Sequence, residues 1–494
     1  MCYDQLMKKY ILEITVFISG AVVMILELTG SRVVAPYLGT SLFVWTSLIG
    51  IILGCLSLGY WLGGKIADKN ATYKKYSLIL FFAGLLIAIT AFSKETILEF
   101  IQTYIPGLRL GSILAAILLF APASIFLGMV SPYAVKLKMH SVEKSGSTVG
   151  TLYAISTIGS IVGTFLAGFV LIAYFGNGKL LIIISILMIF ASALSYLQSL
   201  FKSKIIIIIA LIGYFGMVSF QQKSAEAEGL IDIDTNYNRV QIYESTFNGQ
   251  QALILNLNKS FSSAMYTNDK DLVFEYTKYY RLARHFSPNI ESALMIGGGA
   301  YSYPKDFLNQ YPSATIDVVE IDPQVTEIAK KYFNLEDDPR LTSYNEDGRT
   351  FLNKNIKKYD AIFMDAFNAY SIPHQLTSIE AIQKMADGLN ENGVILVNLI
   401  SSLEGETSEF LRAEYRTFKQ IFPYVYVLGV NQPESGSSIQ NLMLIATNNE
   451  AVFTSHEADL NEYLKHIWTK EIPQNLPILT DDFAPVDQYI MKLL

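Results

Sequence analysis

The amino-terminal part of the chain is a series of long apolar segments separated by short polar ones. Most of these segments reach the roughly 20 residues that a helix needs to cross a bilayer. Seven can be distinguished, at residues 10–29, 42–63, 76–92, 110–130, 150–175, 180–200 and 205–220. Because a chain in lipid must satisfy its own backbone hydrogen bonds, the pattern predicts a bundle of about seven transmembrane helices within residues 1–222.

The pattern changes to alternation after residue 229. The stretch RVQIYESTFNGQQALILNL predicts two strands joined at Asn248-Gly249, within a small β-region and connecting helix at residues 229–290. From residue 291 onward, short apolar runs alternate with helical patterns, as in SALMIG, TIDVVEID, YDAIFMDAF and GVILVNLI. This alternation predicts an α/β domain at residues 291–494 with a Rossmann-like, methyltransferase-type, doubly wound sheet.

Composition supports the division into two halves and narrows the function. Of the 494 residues, 51% are hydrophobic and only 16% are charged, and the deficit of charge lies before Gln221. The net charge of −7, without a cluster of Lys and Arg, argues against a nucleic-acid partner. Cys2 and Cys55 provide neither a disulfide framework nor a zinc site, and no metal is expected.

The apolar segments predict a multi-pass protein of the cell membrane, with the lipid bilayer as a partner. Lysines concentrate on the side of the amino terminus, which the positive-inside rule makes cytoplasmic. Seven spans would then place the second half outside, whereas a nucleoside-type ligand is expected inside. The membrane face of the second half therefore stays open.

A candidate nucleoside site follows the first strand of the α/β domain. Gly297, Gly298 and Gly299 end the run SALMI, where glycine allows a sharp turn and close approach of a ligand. Glu320 ends the next strand, the position from which a carboxylate accepts hydrogen bonds from ribose hydroxyls, and Asp322 follows it. These five residues are predicted to bind the nucleoside.

The spacing of the glycines limits the class of nucleoside. The sequence matches neither the triphosphate-binding G-x-x-x-x-G-K-[ST] motif nor the dinucleotide-binding G-x-G-x-x-G motif, so a nucleoside without a pyrophosphate fits better. Further along, Asp347-Gly348 follows a third short strand. Asp347 either accepts from an adenine amino group or caps the next helix, and both interpretations stay open.

Several motifs together resemble the spermidine synthase family of polyamine aminopropyltransferases. They are ALMIGGGAYSYPKDF, VVEIDPQV, NEDGRTFL, YDAIFMDAFNAYSIPHQLTS and LTDDFAPVD. The segments FISGAVVMILELTGSRVVAPYLGTS and LGGKIADK are similar to the branch of that family in which a membrane domain precedes the synthase domain. The resemblance implies decarboxylated S-adenosylmethionine as the donor and a small amine such as putrescine as the acceptor.

The resemblance also implies roles for residues after the strand YDAIFM. Asp365 takes the position of the family's catalytic aspartate, which receives the proton of the attacking amine. Asn368 stands where soluble synthases have a second acid that helps to bind the diamine, and Tyr370 and His374 lie in the same loop. These last three residues are predicted to contact the acceptor.

Two other functions remain open from the sequence. The same fold suits a methyltransferase that uses intact S-adenosylmethionine. The carboxylate of that donor needs a cation or extra backbone donors beside the glycines, and the only cation close in sequence is Lys305. Alternatively, the membrane helices transport or sense a ligand while the second half binds a nucleoside or polyamine. A homodimer is also left open.

Overall fold

A computed structural model describes residues 2–139, 145–196, 209–213, 216, 230–367 and 372–493 of the chain. The chain divides into two compact units, Met1–Glu228 and Gly229–Leu494.

The first unit is helical. Its α-helices are Cys2–Leu38, Leu42–Asn70, Tyr73–Tyr104, Leu108–Leu119, Ala121–Lys138, Ser145–Leu166, Ile172–Tyr174 and Asn177–Ser195, with a π-helical segment at Ala167–Leu171. By length and apolar composition, five helices in the described residues could cross a membrane, or six if the bent pair Leu108–Leu119 and Ala121–Lys138 forms one span. The seventh predicted segment, 205–220, lies largely outside the described residues.

The helices extend beyond the predicted segments, and one predicted span is broken. The segment predicted at 76–92 is part of one longer helix, Tyr73–Tyr104. The segment predicted at 110–130 bends by 52° between its two helices. Pro122, which lies in the first turn of the second helix and lacks a backbone N–H, explains the break.

The second unit begins with a four-stranded antiparallel sheet. Its strands, in both chain and spatial order, are β1 (Ile231–Asp234), β2 (Arg239–Phe247), β3 (Gln250–Leu257) and β4 (Ser260–Tyr266). Asn248 and Gly249 join β2 to β3 with φ angles of 50° and 78°, the left-handed conformation of a two-residue hairpin turn. The predicted hairpin, β2 and β3, is confirmed. The strands on either side of it, β1 and β4, were not predicted individually from the sequence pattern.

Short helices, Glu275–Tyr279 and Ala283–Phe286, lead from this region into a seven-stranded sheet. Its strands are β5 (Ser292–Ile296), β6 (Thr315–Val319), β7 (Leu341–Tyr344), β8 (Tyr359–Met364), β9 (Leu389–Ser401), β10 (Tyr424–Gly429) and β11 (Gln440–Thr447). The spatial order is β10-β11-β9-β8-β5-β6-β7. Strands β5 to β9 pair in parallel, whereas β11 pairs antiparallel with both β9 and β10. The sheet is therefore mixed, and only its larger part has the predicted parallel arrangement.

The sheet is buried on both faces. In β5, Ala293 and Met295 pack into one hydrophobic cluster, and Leu294 and Ile296 pack into the cluster on the opposite face. The helices that supply these layers are Ser302–Gln310, Pro323–Tyr332, Gly348–Lys354, Ile379–Asp387, Glu409–Phe418, Ala458–Leu464 and Val486–Ile490. A strand buried on both faces reads as a continuous apolar run, which is why the sequence located β5, β6, β8 and β9.

The strand order reverses at the centre of the sheet. The chain runs outward from β5 to β6 and β7, and then returns to place β8 on the other side of β5. In open α/β sheets such a reversal opens a crevice at the carboxyl ends of the two central strands. The residues that follow β5 and β8 are Gly297 and Asp365.

Candidate active site

The glycine turn, Gly297–Gly299, leaves the carboxyl end of β5 in a conformation that only glycine adopts readily. The φ angles of Gly297 and Gly299 are +94° and +50°. A Cβ atom on Gly297 would lie 2.4 Å from the backbone oxygen of Asp365, and one on Gly299 would lie 2.5 Å from Ser263 Oγ. The turn therefore fits tightly between β4 and the end of β8, and brings bare backbone to the crevice.

Asp365 lies beside this turn. Its backbone N–H donates to the carbonyl of Ile296, the last residue of β5, at 2.9 Å. Its side chain accepts from Tyr276 Oη at 3.2 Å and from Asn398 Nδ2 at 3.0 Å, one donor for each carboxylate oxygen. The carboxylate is thus held in a fixed orientation at the carboxyl end of β8.

Asn398 is itself oriented by a further side chain. Its Oδ1 accepts from Asn441 Nδ2 at 3.0 Å, so its Nδ2 faces Asp365. Asn398 is 4% exposed and lies on β9, and Asn441 lies on β11. The result is a hydrogen-bonded row, Asn441 to Asn398 to Asp365, that runs across neighbouring strands.

The environment of Asp365 is suited to a proton acceptor. Burial raises the pKa of its carboxyl to about 6, and the hydrogen bonds from Asn398 and Tyr276, together with the nearby hydroxyl of Tyr280, limit the rise. A carboxylate with such a pKa is charged at neutral pH yet takes up a proton more readily than an exposed aspartate.

Glu320 lies where the sequence predicted, at the end of β6, and lines the same cavity. One of its oxygens accepts from the backbone N–H groups of Gly298 and Gly299 at 2.9 and 3.0 Å, and the other from Asp322 N at 3.0 Å. Burial raises the pKa of Glu320, and these backbone donors favour its charged form. Glu320 therefore also fixes the shape of the glycine turn.

Asp322 and Asp347 both cap helices, but only one of them reaches the cavity. Asp322 is fully buried, accepts from Gln324 N and Thr235 Oγ1, and does not line the cavity, so the structure places it in a supporting position. Asp347 accepts from Thr350 N at 2.9 Å through Oδ1 and lines the cavity together with Gly348. Asp347 therefore caps its helix and also lines the cavity.

The three predicted acceptor contacts have different outcomes. Asn368 and Tyr370 lie outside the described residues. His374 begins a 3₁₀ turn, is exposed, and is not among the residues that line the cavity, whereas its neighbours Pro373 and Gln375 are. The structure therefore gives His374 the position of a solvated loop residue.

The cavity around these groups has a volume of about 800 Å³, near the upper end of the range of roughly 300–1,000 Å³ that ligand pockets occupy. Its described lining contains four carboxylates, from Glu275, Glu320, Asp347 and Asp365, and no lysine or arginine. A cavity with this charge favours a positively charged ligand.

Sequence reasoning missed Tyr276, Asn398 and Asn441. Tyr276 lies in the tyrosine-rich stretch FEYTKYY, which by its helical spacing reads as core and lid packing. Asn398 could have been found from the sequence, because it is the one polar residue inside the apolar run VILVNLI. A buried amide in a central strand needs a hydrogen-bond partner, which here is the carboxylate at the end of the neighbouring strand.

Comparison with known proteins agrees with this geometry. Residues 277–455 match the family model of the spermine/spermidine synthase domain. A polyamine aminopropyltransferase of Vibrio vulnificus is 27% identical over 237 residues, which cover 44% of this chain and 76% of the relative. A probable polyamine aminopropyl transferase of Bifidobacterium longum is 30% identical over 275 residues, which cover 51% of this chain and 60% of the relative.

Solved structures resemble the chain more loosely. A probable spermidine synthase from Corynebacterium glutamicum gives a TM-score of 0.42 at 20% identity, covering 47% of this chain and 84% of that one. A spermidine synthase from Thermotoga maritima gives 0.37 at 19% identity, covering 54% and 88%. The match to the spermine/spermidine synthase domain, at residues 277–455, lies wholly within the second unit, Gly229–Leu494.

Proposed function

We propose that the protein is a polyamine aminopropyltransferase that moves an aminopropyl group from decarboxylated S-adenosylmethionine to a small amine. The observation that carries the proposal is the single cavity shared by the glycine turn and Asp365, with four carboxylates and no cation in its described lining. The family match to residues 277–455 supports the same reaction.

The charge of the cavity fits the aminopropyl donor. That donor carries a sulfonium and an ammonium group and no carboxylate, so an acidic cavity stabilises it. Intact S-adenosylmethionine adds a carboxylate, which needs a cation or backbone N–H donors nearby. The N–H groups of Gly298 and Gly299 already donate to Glu320. Lys305, the cation closest in sequence to the glycine turn, instead donates to the backbone oxygen of Phe333 and does not line the cavity. The methyltransferase alternative therefore finds no support among the described lining residues.

The chemistry needs little from the protein beyond placement and proton removal. The amine nitrogen attacks the CH₂ group next to the sulfonium, the carbon–sulfur bond breaks, and its electron pair stays on sulfur to give 5′-methylthioadenosine. Alkylamines have pKa values near 10, so the acceptor arrives mainly as an ammonium ion. Asp365 holds that ion and takes its proton, while Asn398 and Tyr276 keep the carboxylate in place.

A product assay tests this proposal. The purified full chain is incubated with each donor and a panel of amines, and the nucleoside product is identified by mass spectrometry. We expect methylthioadenosine from the decarboxylated donor, and a loss of at least about 100-fold in Asp365→Asn, since general-base catalysis typically contributes that much. Asp337→Asn is the matched control, because Asp337 is 93% exposed and pairs only with Lys330 among the described residues.

Two results would contradict the proposal. Adenosylhomocysteine formed from the intact donor would assign methyl transfer instead. Unchanged turnover in Asp365→Asn would remove Asp365 from the reaction.

We further propose that the first unit anchors the enzyme in a bilayer, because five of its described helices are long and apolar enough to span one, and the bent pair could form a sixth span. After extraction of membranes with alkaline carbonate, the full chain is expected in the pellet. Release into the supernatant would contradict the anchoring.

A further inference from the structure

A row of aromatic side chains leads from Asp365 to the surface along one side of the cavity. We name it the aromatic wall; its members are Tyr276, Phe274, Phe247 and Phe261. Tyr276 donates to Asp365, and its ring stacks on Phe274 with 6.2 Å between centroids. Phe274 contacts Phe247 edge-on at 5.7 Å and Phe261 at 6.2 Å.

The outer end of the wall is exposed apolar surface. Phe261 is 60% exposed although it lines the cavity. The three phenylalanines come from three segments, the end of β2, the start of β4 and the residue before the helix Glu275–Tyr279. No single strand pattern requires them to meet. Phe247 and Phe274, behind Phe261, are half-buried. An exposed ring that meets half-buried rings at the mouth of a cavity marks a surface that an apolar ligand covers.

The wall offers little to a second ammonium group. The carboxylate next to it in the chain is Glu275, which is 45% exposed and already lies 3.4 Å from Lys278 Nζ. After Asp365 the chain continues AFNAYSIP, which contains no acid. A diamine that extends from Asp365 along the wall would therefore place its far nitrogen beside phenylalanine rings. Of the described lining carboxylates, only the partly neutralised Glu275 adjoins the wall in the chain, because Glu320 and Asp347 follow β6 and β7.

We propose that the acceptor is a monoamine with an aromatic body, an arylalkylamine. Its nitrogen lies at Asp365 and its ring packs against Phe274, Phe247 and Phe261, where edge-to-face contacts with the rings are favourable. This inference rests on the proposed aminopropyl transfer. The nitrogen forms a bond to the propyl CH₂ as the carbon–sulfur bond breaks, and its proton passes to Asp365.

Steady-state kinetics tests the inference with three amines, which are 2-phenylethylamine, putrescine and n-butylamine. The last has the same carbon chain as putrescine but a single nitrogen. We expect kcat/KM to be at least about tenfold higher for 2-phenylethylamine than for putrescine, the scale of discrimination that apolar pockets provide. Phe261→Ala should lower the value for 2-phenylethylamine by about tenfold and change that for n-butylamine less than about twofold. Phe453→Ala, at a 45% exposed phenylalanine outside the cavity lining, is the matched control and should change neither.

The outcomes separate this inference from the proposed function. If putrescine is the better acceptor, and Glu275→Gln lowers its kcat/KM while Phe261→Ala has no effect on any amine, the aromatic acceptor is wrong and aminopropyl transfer stands. If no amine yields methylthioadenosine, the proposed function itself fails.

Discussion

Replacing Asn398 with leucine removes the amide that donates to the carboxylate of Asp365. The two side chains have the same branched heavy-atom skeleton, so the change removes the hydrogen bond at 3.0 Å and keeps the shape of the side chain. Asn398 is buried, and its other partner, Asn441, also lines the cavity and can turn toward it. The variant therefore isolates the effect of one donor on the charge of the proposed base.

The size of the effect follows from that hydrogen bond. Burial raises the pKa of Asp365 to about 6, and the bond from Asn398 opposes the rise. A hydrogen bond to a charged group contributes about 1.5–3 kcal/mol, which corresponds to about 1–2 pKa units. Without it, a pKa near 7.5 would leave about 3% of the carboxylate charged at pH 6 instead of half, a loss of about 15-fold. At pH 8 the same shift costs less than about twofold.

The assay is kcat/KM for aminopropyl transfer between pH 5 and 9, with Asn398→Leu and wild type compared on the same amine. The titration of the amine affects both proteins equally, so only the acidic limb should move, toward higher pH. A uniform loss of activity with an unmoved acidic limb would refute the reasoning, because the group that titrates would then not be the carboxylate bonded to Asn398.

Three further changes test other parts of the structure. Gly299→Ala should weaken donor binding, measured by calorimetry, at least about fivefold. The Cβ of the alanine would lie 2.5 Å from Ser263 Oγ, on a residue whose φ angle is +50°. Unchanged affinity would be inconsistent with this close fit. Asp365→Asn should be more stable than wild type by up to about 3 kcal/mol at pH 8 and by little at pH 4. The pKa of Asp365 is higher in the folded protein than in the unfolded chain, so wild type loses stability as the pH rises toward 6. A difference in melting temperature that does not depend on pH would count against this. Glu414→Met should raise the melting temperature, and by more at pH 8.5 than at pH 6. Burial raises the pKa of the Glu414 carboxyl, and its two oxygens have no hydrogen-bond partner among the described residues. A lowered melting temperature would indicate that the carboxyl has a partner.

Local patterns predicted the part of the site that is local in sequence. Strand β5, the glycine turn and Glu320 lie within 29 residues, and their chemistry follows from an apolar run, a turn and a strand-terminal acid. Asp322 was predicted only as a nucleoside contact, whereas in the structure it caps the helix Pro323–Tyr332, a common role for an aspartate before a proline. The sequence did not show that this cap directs Asp322 away from the cavity.

The support of Asp365 could not be predicted, because it depends on distant segments. Tyr276 precedes Asp365 by 89 residues, and Asn441 follows Asn398 by 43. Their meeting depends on sheet order and on the docking of β4 against the glycine turn, which no single stretch encodes. The same holds for the aromatic wall, where three segments converge only after folding.

A competition between donors tests the central claim most directly. The protein receives decarboxylated and intact S-adenosylmethionine together at equal concentration with an excess of amine, and both nucleoside products are counted by mass. An acidic cavity that holds an adenosyl group on the glycine turn beside Asp365 predicts methylthioadenosine as nearly all of the product, and its loss in Asp365→Asn. A product that is mainly adenosylhomocysteine, or methylthioadenosine formed equally by the variant, would contradict it.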